Sequence, residues 1–321
     1  MYKIYLDRIH FIYGQGTPFE QVALQNVTLG IKEGGITGII GHTGSGKSTM
    51  MQLLNGLAKP TEGRVLLDGY DINSRPEDVM TEWKTQEPYS SMPKGKAKRA
   101  VKREIEVRRG ALCFRVGLVM QYPEYQLFEE TVYRDVAFGP ENMGLPAEEV
   151  RARVLEALEF VGIGQELLEA SPFDLSGGQK RRVALAGVIA MRPEVLVLDE
   201  PAAGLDPQGR SQIFDRICRY QRTTGSTVLI VSHSMEDMAK YCDDVIVMKD
   251  ARVMMQGTKK EVFSHMDELS QSGLDVPQVT RLVELLRERG IPLEKNLYTV
   301  EDATRAIAAA FDRKQRGGDP S

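Results

Sequence analysis

Short apolar runs alternate with amphipathic stretches along most of the chain. Residues 3–13 alternate between apolar and polar positions and predict a strand, and residues 25–31 predict a second one. Apolar runs too short for helices predict buried strands at 36–40, 116–120, 195–198, 228–231 and 245–248. Helical patterns lie between them, most clearly at 147–161, 178–191 and 208–222. Because strands alternate with helices, we expect an α/β fold whose largely parallel sheet carries helices on both faces.

One segment that departs from this plan is a basic insertion at residues 84–110. It holds nine Lys or Arg and three Glu, a net of +6, and Lys94 to Arg109 predict a weakly amphipathic helix. Two interpretations are open: a solvated, partly disordered insertion, or a surface for a membrane or a partner.

The second segment that departs from this plan is the C-terminal region. We predict a main domain at residues 1–264 and a C-terminal extension at residues 265–321. Helices are predicted from Pro277 to Arg289 and from Thr299 to Phe311, the second with a capping-box-like start. The polar tail after Asp312 is expected to be disordered.

Composition narrows the class of protein. The 321 residues include 41 Lys or Arg and 45 Asp or Glu, so the net charge of −4 disfavours a globally basic nucleic-acid binder. No apolar run approaches the roughly 20 residues that span a bilayer, and the first residues lack an apolar signal-peptide core. We therefore expect neither a secreted nor an integral membrane protein. The three cysteines lie far apart, which indicates reduced thiols and not a zinc site.

Residues 41–48 read Gly-His-Thr-Gly-Ser-Gly-Lys-Ser, which matches the G-x-x-x-x-G-K-S phosphate loop. A predicted strand precedes the loop and a predicted helix follows it, so backbone N–H groups and the helix N-terminus can face phosphate oxygens. Lys47 is expected to reach the β- and γ-phosphates, and the Ser48 hydroxyl is expected to bind Mg²⁺. His42 is more typical of a structural or peripheral loop position. The predicted ATP-binding residues of this region are Gly41, His42, Thr43, Gly44, Ser45, Gly46, Lys47, Ser48 and Thr49.

Two acids follow the apolar run at 195–198. A strand buried on both faces ends there, so Asp199 and Glu200 are expected at the carboxyl edge of the sheet, where open α/β sheets bind ligands. Asp199 is placed to hold Mg²⁺, and Glu200 to polarise an attacking water. An apolar run that ends in two acids is common, so this prediction depends on the phosphate loop in the same chain.

Residues 175–179 read Leu-Ser-Gly-Gly-Gln and begin a predicted helix, which creates a second anion-binding N-terminus. Here the chain resembles the ATP-binding cassette (ABC) ATPases, whose signature is this pentapeptide. The resemblance implies a head-to-tail dimer of two cassettes. In such a dimer the signature of one chain covers the γ-phosphate bound by the other, through Ser176, Gly177, Gly178 and Gln179.

The resemblance also implies roles for four further residues. Gln121 matches the Q-loop glutamine that contacts Mg²⁺ and water, and Asp206 lies in the D-loop at the dimer interface. His233 matches the switch histidine, and Tyr13 matches the aromatic that stacks on adenine, with Phe11 as a neighbouring alternative. The predicted catalytic residues are Glu200, His233 and Gln121, and the predicted metal ligands are Ser48, Gln121 and Asp199.

A narrower resemblance is carried by residues 14–20, 121–132, 135–140 and 171–173. These segments look like the ATP-binding subunits of energy-coupling factor (ECF) transporters, and most like the second of the two paralogous subunits. The resemblance implies an ATPase and translocase on the cytoplasmic face of the cell membrane that energises import of a vitamin or a transition-metal ion. Its implied partners are a second ABC ATPase subunit (paralogue or self), a transmembrane coupling subunit and a substrate-binding membrane subunit, with no nucleic acid.

The implied fold is an ABC-type nucleotide-binding domain. It would combine a P-loop core with a mostly parallel sheet, an antiparallel β subdomain, a helical signature subdomain and a small helical C-terminal extension. The basic insertion departs from the family pattern, as does Ala202, where Thr is more usual. Two alternatives are a soluble ABC ATPase of translation or DNA repair and a non-hydrolysing regulatory subunit. Against the second, the chain retains Glu200 and an intact signature.

Overall fold

The computed structural model describes residues 2–74, 90–274, 277–294 and 297–316, in which two sheets organise the fold. The first is antiparallel, in the order β2-β1-β4-β5, and the second has the order β10-β9-β3-β8-β7-β6. The expected disorder beyond residue 316 and the start of the basic insertion at 84–89 lie outside the described residues. The strands are β1 (Tyr2–Tyr13), β2 (Gln21–Lys32), β3 (Ile36–Gly41), β4 (Glu62–Leu67), β5 (Tyr70–Asp71), β6 (Val116–Val119), β7 (Val195–Asp199), β8 (Thr227–Val231), β9 (Asp244–Lys249) and β10 (Arg252–Thr258).

The second sheet is parallel except for β10, which pairs antiparallel with β9 at one edge. All residues of β3 and β8 are buried, which explains the continuous apolar runs that predicted them. The short or half-exposed strands β4, β5 and β10 were not predicted, because their side chains do not form a clean apolar pattern.

Helices cover both faces of the parallel sheet, as expected. Asp206 caps one of them: its carboxylate accepts the Gly209 N–H at 2.6 Å, and Pro207 occupies the first helical position. The helices are α1 (Lys47–Asn55), α2 (Lys94–Arg115), α3 (Val132–Asn142), α4 (Ala147–Val161), α5 (Gly177–Ile189), α6 (Pro207–Thr224), α7 (Met235–Tyr241), α8 (Lys259–Ser264), α9 (Met266–Gln271), α10 (Gln278–Glu288) and α11 (Val300–Arg316).

Strand β7 shows how the sheet separates two hydrophobic cores. Leu196 and Leu198 pack into the core formed with α3–α6, whereas Val195 and Val197 pack into the core shared with α1 and the antiparallel sheet. Successive strand residues point to opposite faces, so a strand between two cores must be apolar at every position.

The basic helix α2 extends beyond its predicted end and leads directly into β6. Ala97 and Val101 are buried, while the charged residues between them are exposed. At its C-terminal end, the Arg115 Nε donates to Glu194 at 2.7 Å, and Lys3 of β1 donates to the same carboxylate at 2.7 Å. The hydrogen bond from Arg115 is the main reason that the pKa of Glu194 falls to about 2. This ion cluster therefore joins α2 to both sheets.

The C-terminal helices divide between two packing environments. Leu269 and Leu274 lie in the main core, whereas α10 and α11 share a small cluster of their own around Val283 and Ala303. The predicted cap of α11 is present, because the Thr299 hydroxyl accepts the Asp302 N–H at 3.2 Å.

Within the described ranges, no helix combines the length and the apolar character needed to cross a bilayer.

Candidate nucleotide site

Four of the predicted site segments meet at one edge of the parallel sheet. Strands β3, β8, β7 and β6 are parallel neighbours, although they are far apart in sequence. Their carboxyl ends therefore lie side by side, with the phosphate loop after β3 and His233 after β8. Asp199 ends β7, where it pairs with Val231, and Gln121 follows β6. The sheet order thus brings together residues from four separate segments.

The phosphate loop requires glycine at two positions. Gly41 has φ 153° and Gly46 has φ 98°. A Cβ at Gly41 would lie 2.3 Å from the Met248 carbonyl oxygen, and a Cβ at Gly46 would lie 2.4 Å from that of Ala23. Both distances are far below van der Waals contact, so a larger residue would displace the loop from β9 and β2.

Lys47 is folded into this loop. Its side chain is buried, and its ammonium donates to the carbonyl oxygens of Gly41 and His42 at 2.7 Å each. Burial lowers the pKa of Lys47, while the nearby Glu200 and Asp199 oppose that shift. The ammonium therefore lies between the loop backbone and the acids, where it can exchange carbonyl oxygens for phosphate oxygens.

Glu200 occupies a strained, half-buried position beside His233. Its φ is 49°, in the left-handed region that side-chain-bearing residues rarely adopt. Its Oε1 lies 3.6 Å from the His233 Nε2 and, within the described part of the chain, accepts no hydrogen bond. Burial, and then the charge of Asp199, raise the pKa of Glu200 to about 7. Burial, and then the charge of Lys47, lower the pKa of His233, which favours the neutral imidazole.

Asp199 and Glu200 fit a site for a divalent cation that would also bind phosphate oxygens. Burial raises the pKa of Asp199, so both neighbouring carboxyls gain from added positive charge. In the described residues, no group of three or more His, Cys, Asp or Glu side chains could hold a metal alone. Mg²⁺ commonly uses one or two carboxylates with hydroxyl, water and phosphate oxygens, and Ser48 and Gln121 offer the additional oxygens at this edge.

The signature forms a capped helix N-terminus that is separate from the phosphate loop. Ser176 caps α5: its hydroxyl accepts the Gln179 N–H at 3.3 Å, and the Gln179 side-chain oxygen accepts the Ser176 N–H at 2.9 Å. A Cβ on Gly177 or Gly178 would meet no atom within 4 Å, so this helix end is open. As far as the described residues extend, neither Ser176 nor Gln179 bonds to the phosphate loop. The signature and the phosphate loop are therefore not joined by these two side chains.

Arg181 links three functional segments and was not predicted. Its guanidinium is buried and donates to the Glu124 carboxylate at 3.1 and 3.3 Å, and it also bonds to the Ala203 carbonyl. Arg181 thereby ties α5 to the segment after Gln121 and to the segment after Glu200. Its position directly after the signature could have marked Arg181 as a candidate in the sequence. Its hydrogen-bond partners, however, are visible only in the structure.

Tyr13 lies at the edge of the site and is 41% exposed. Its hydroxyl lies 3.1 Å from that of Thr49, which follows the phosphate loop, and Phe11 meets its ring edge-on at 4.8 Å between centroids. The side chain of His42 points elsewhere: its Nε2 lies 2.8 Å from the Ser272 carbonyl oxygen in the C-terminal region.

Exposed aromatic side chains lie in the segment after Gln121 and on α3. Phe128 and Phe138 pack edge-to-face at 4.9 Å, and Tyr122 lies 6.2 Å from Tyr125 between ring centroids. We define the aromatic patch as the exposed residues Tyr122, Tyr125, Phe128 and Phe138.

Two residues of the same segment, Leu127 and Glu124, do not belong to the patch. Leu127 is not exposed but lies in the main core. Glu124 is not a free acid, because its carboxylate is bonded to Arg181.

Comparison with known proteins agrees with this geometry. The sequence profile of the ABC transporter family matches residues 24–203. The energy-coupling factor transporter ATP-binding protein EcfA2 of Caldanaerobacter subterraneus subsp. tengcongensis is 46% identical over 95% of this chain and 96% of that protein. EcfA2 of Symbiobacterium thermophilum is 49% identical over 95% of each chain.

Solved structures show the same fold. The structure of cbiO1 from Clostridium perfringens, part of the ABC transporter complex cbiONQ, has a TM-score of 0.65 and 38% identity, and covers 88% of this chain and 99% of that one. A dimeric ATP-binding cassette, MJ0796 bound to ADP and Pi, has a TM-score of 0.62 and 28% identity, and covers 80% of this chain and 98% of that one.

Proposed function

The chain belongs to the ATP-binding subunits of energy-coupling factor transporters within the ABC transporter family, and we propose that its sheet-edge site hydrolyses Mg²⁺–ATP between two cassettes. As an ATPase of this family, it energises import through an ECF transporter. The observation that carries the site assignment is the convergence of Lys47, Asp199, Glu200 and His233 beside the phosphate loop.

Glu200 is proposed as the group that activates water. A general base works best when its pKa is close to the working pH, and burial raises the pKa of Glu200 to about 7. The unpartnered Oε1 can accept a proton from water, while the neutral His233 can hydrogen-bond the transferred phosphoryl group.

Positioning and charge neutralisation account for the remaining chemistry. Lys47 and the backbone N–H groups of the loop hold the phosphates, and Tyr13 offers a face for adenine. Ser48, Gln121 and Asp199 would hold Mg²⁺, which neutralises phosphate charge when it is bound.

A second cassette completes the proposed site. The N-terminus of α5, which carries the signature, is exposed. The same surface of a partner chain can therefore cover the phosphate loop of this chain. The MJ0796 cassette forms a dimer, which supports this arrangement. Asp206 lies near the same surface, at the start of α6. The partner in this assembly is a paralogue or a second copy of this chain.

The aromatic patch is the proposed contact with the transmembrane coupling subunit. Tyr125 is 85% exposed, and Glu129 and Glu130 lie beside the patch in the sequence. This combination fits a basic amphipathic helix of the membrane partner. We accordingly place the chain on the cytoplasmic face of the cell membrane, held there by its partners, with substrate recognition in a separate membrane subunit.

The function is tested by Lys47→Ala in the reconstituted transporter. Loss of the buried ammonium should lower ATP hydrolysis by at least about 10²-fold, which is typical for removal of one preorganised charge-stabilising group. Lys59→Ala, at an exposed position, is the matched control and should keep the wild-type rate. Equal rates in the two variants would contradict the assignment, and a wild-type complex that binds but does not hydrolyse ATP would favour the regulatory alternative.

A further inference from the structure

The C-terminal segment 266–274 ends in a rigid turn. Gly273 has φ 74°; its N–H bonds to the Ser270 carbonyl at 2.9 Å, and the Leu274 N–H bonds to the Leu269 carbonyl at 3.0 Å. This pair of bonds is the Schellman motif that closes the end of α9. Leu269 and Leu274 are buried in the main core, so the turn is fixed relative to the parallel sheet.

The turn presents the Ser272 carbonyl to the phosphate loop. A carbonyl at a helix end has no partner within the helix, and here the His42 Nε2 lies 2.8 Å from its oxygen. Because a carbonyl can only accept a hydrogen bond, the Nε2 of His42 carries the hydrogen and donates it. The backbone carbonyl of His42 accepts from the Lys47 ammonium at 2.7 Å. His42 therefore connects the C-terminal turn to the lysine of the phosphate loop.

Gly273 provides a second observation at the same contact. A Cβ at this position would lie 3.1 Å from the His42 Nε2 and 3.4 Å from its Cε1. The turn thus approaches the imidazole closely enough that a single methyl group would press on it. Gly290, which ends α10, also has a positive φ, but a Cβ there would meet no atom within 4 Å.

We propose that His42 is a positioning residue that fastens the phosphate loop to the C-terminal turn, so that the seating of segment 266–274 sets the affinity for nucleotide. The proposal rests on the proposed function of the loop. Through this contact, a change in the C-terminal region alters the loop without touching the nucleotide. One net hydrogen bond changes an equilibrium constant by roughly 2- to 12-fold, which sets the size of the expected effect.

The first test measures the Kd for Mg²⁺–ATP of the purified full-length chain by equilibrium titration, with thermal unfolding as a check on folding. His42→Ala should raise the Kd by about 2- to 12-fold. His42→Gln places an amide nitrogen close to the position of the imidazole Nε2, so it should restore the Kd to within about twofold of wild type. His42→Asn places its amide nitrogen near the Nδ1 position, which does not reach Ser272, so it should resemble His42→Ala.

The second test acts from the other side of the contact. Gly273→Ala should weaken ATP binding, whereas Gly290→Ala, which carries a similar backbone strain without the clash, should not. In the double variant of His42→Ala with Gly273→Ala, the Kd should equal that of His42→Ala alone, because the methyl group then has no imidazole to displace.

The outcomes separate this inference from the proposed function. Equal Kd values for wild type and His42→Ala, equal loss in His42→Ala and His42→Gln, or additive effects in the double variant would each overturn the positioning role. Failure of the folded wild-type chain to bind ATP would instead overturn the proposed function of the loop.

Discussion

Replacement of Glu200 by Gln should stabilise the nucleotide-free chain at neutral and alkaline pH. The substitution keeps the shape of the side chain but removes a charge that is only 15% exposed. The ordinary pKa of this glutamate is 4.5, and burial raises it to about 7 in the folded chain. The difference corresponds to about 3 kcal/mol, at about 1.4 kcal/mol per pKa unit.

The sign of the effect follows from proton binding. The folded state binds this proton more tightly than the unfolded state, so the free energy of unfolding falls as the pH rises from about 4.5 to about 7. Above that window both states are ionised and the folded chain carries the full cost of the buried charge. Glu200→Gln should therefore gain up to about 3 kcal/mol at pH 8 and almost nothing at pH 4.

The assay is thermal or urea unfolding of both proteins at pH 4 and pH 8, without nucleotide. For a chain of this length, about 3 kcal/mol corresponds to a rise in Tm of about 4 °C. Glu169→Gln removes the same charge from an exposed loop and should change stability by less than about 0.5 kcal/mol at either pH. In the assembled transporter, Glu200→Gln should lower turnover by about 10²-fold or more.

The reasoning would be refuted if Glu200→Gln and wild type unfolded together at pH 8, or if the gain were equally large at pH 4. The first result would mean that Glu200 is not held in an unfavourable charged state. The second would trace the gain to packing and not to charge. Wild-type turnover in the variant would show that another group activates the water.

Two further predictions concern the segments around the site. Arg181→Met should destabilise the chain by about 3 kcal/mol in urea unfolding, because it leaves Glu124 without its buried partner. The control Arg134→Met breaks an exposed ion pair and should cost less than about 1 kcal/mol. Equal losses of stability in the two variants would contradict the linking role of Arg181. The double change Tyr125→Ala with Glu129→Arg should reduce recovery with the membrane subunits in a pull-down but leave ATP binding by the free chain intact. Undiminished recovery, or parallel loss in both assays, would remove the aromatic patch from the coupling interface.

The sequence alone determined those features that local chemistry controls. Strands β3 and β8 are apolar at nearly every position because both faces are buried, so their pattern predicts them without knowledge of the fold. The phosphate loop is recognisable because Gly41 and Gly46 permit backbone conformations and close approaches that other residues do not. The cap at Asp206 follows from the preference of a carboxylate for free helix N–H groups.

Only the tertiary structure decided which of these pieces meet. The order β3-β8-β7-β6 places His233 and Glu200 beside a loop that lies far earlier in the sequence. The same long-range packing buries Leu127, joins Glu124 to Arg181 and brings His42 to Ser272. Strand order and side-chain pairing depend on contacts between distant segments, and such contacts leave no periodic or local signal in the sequence.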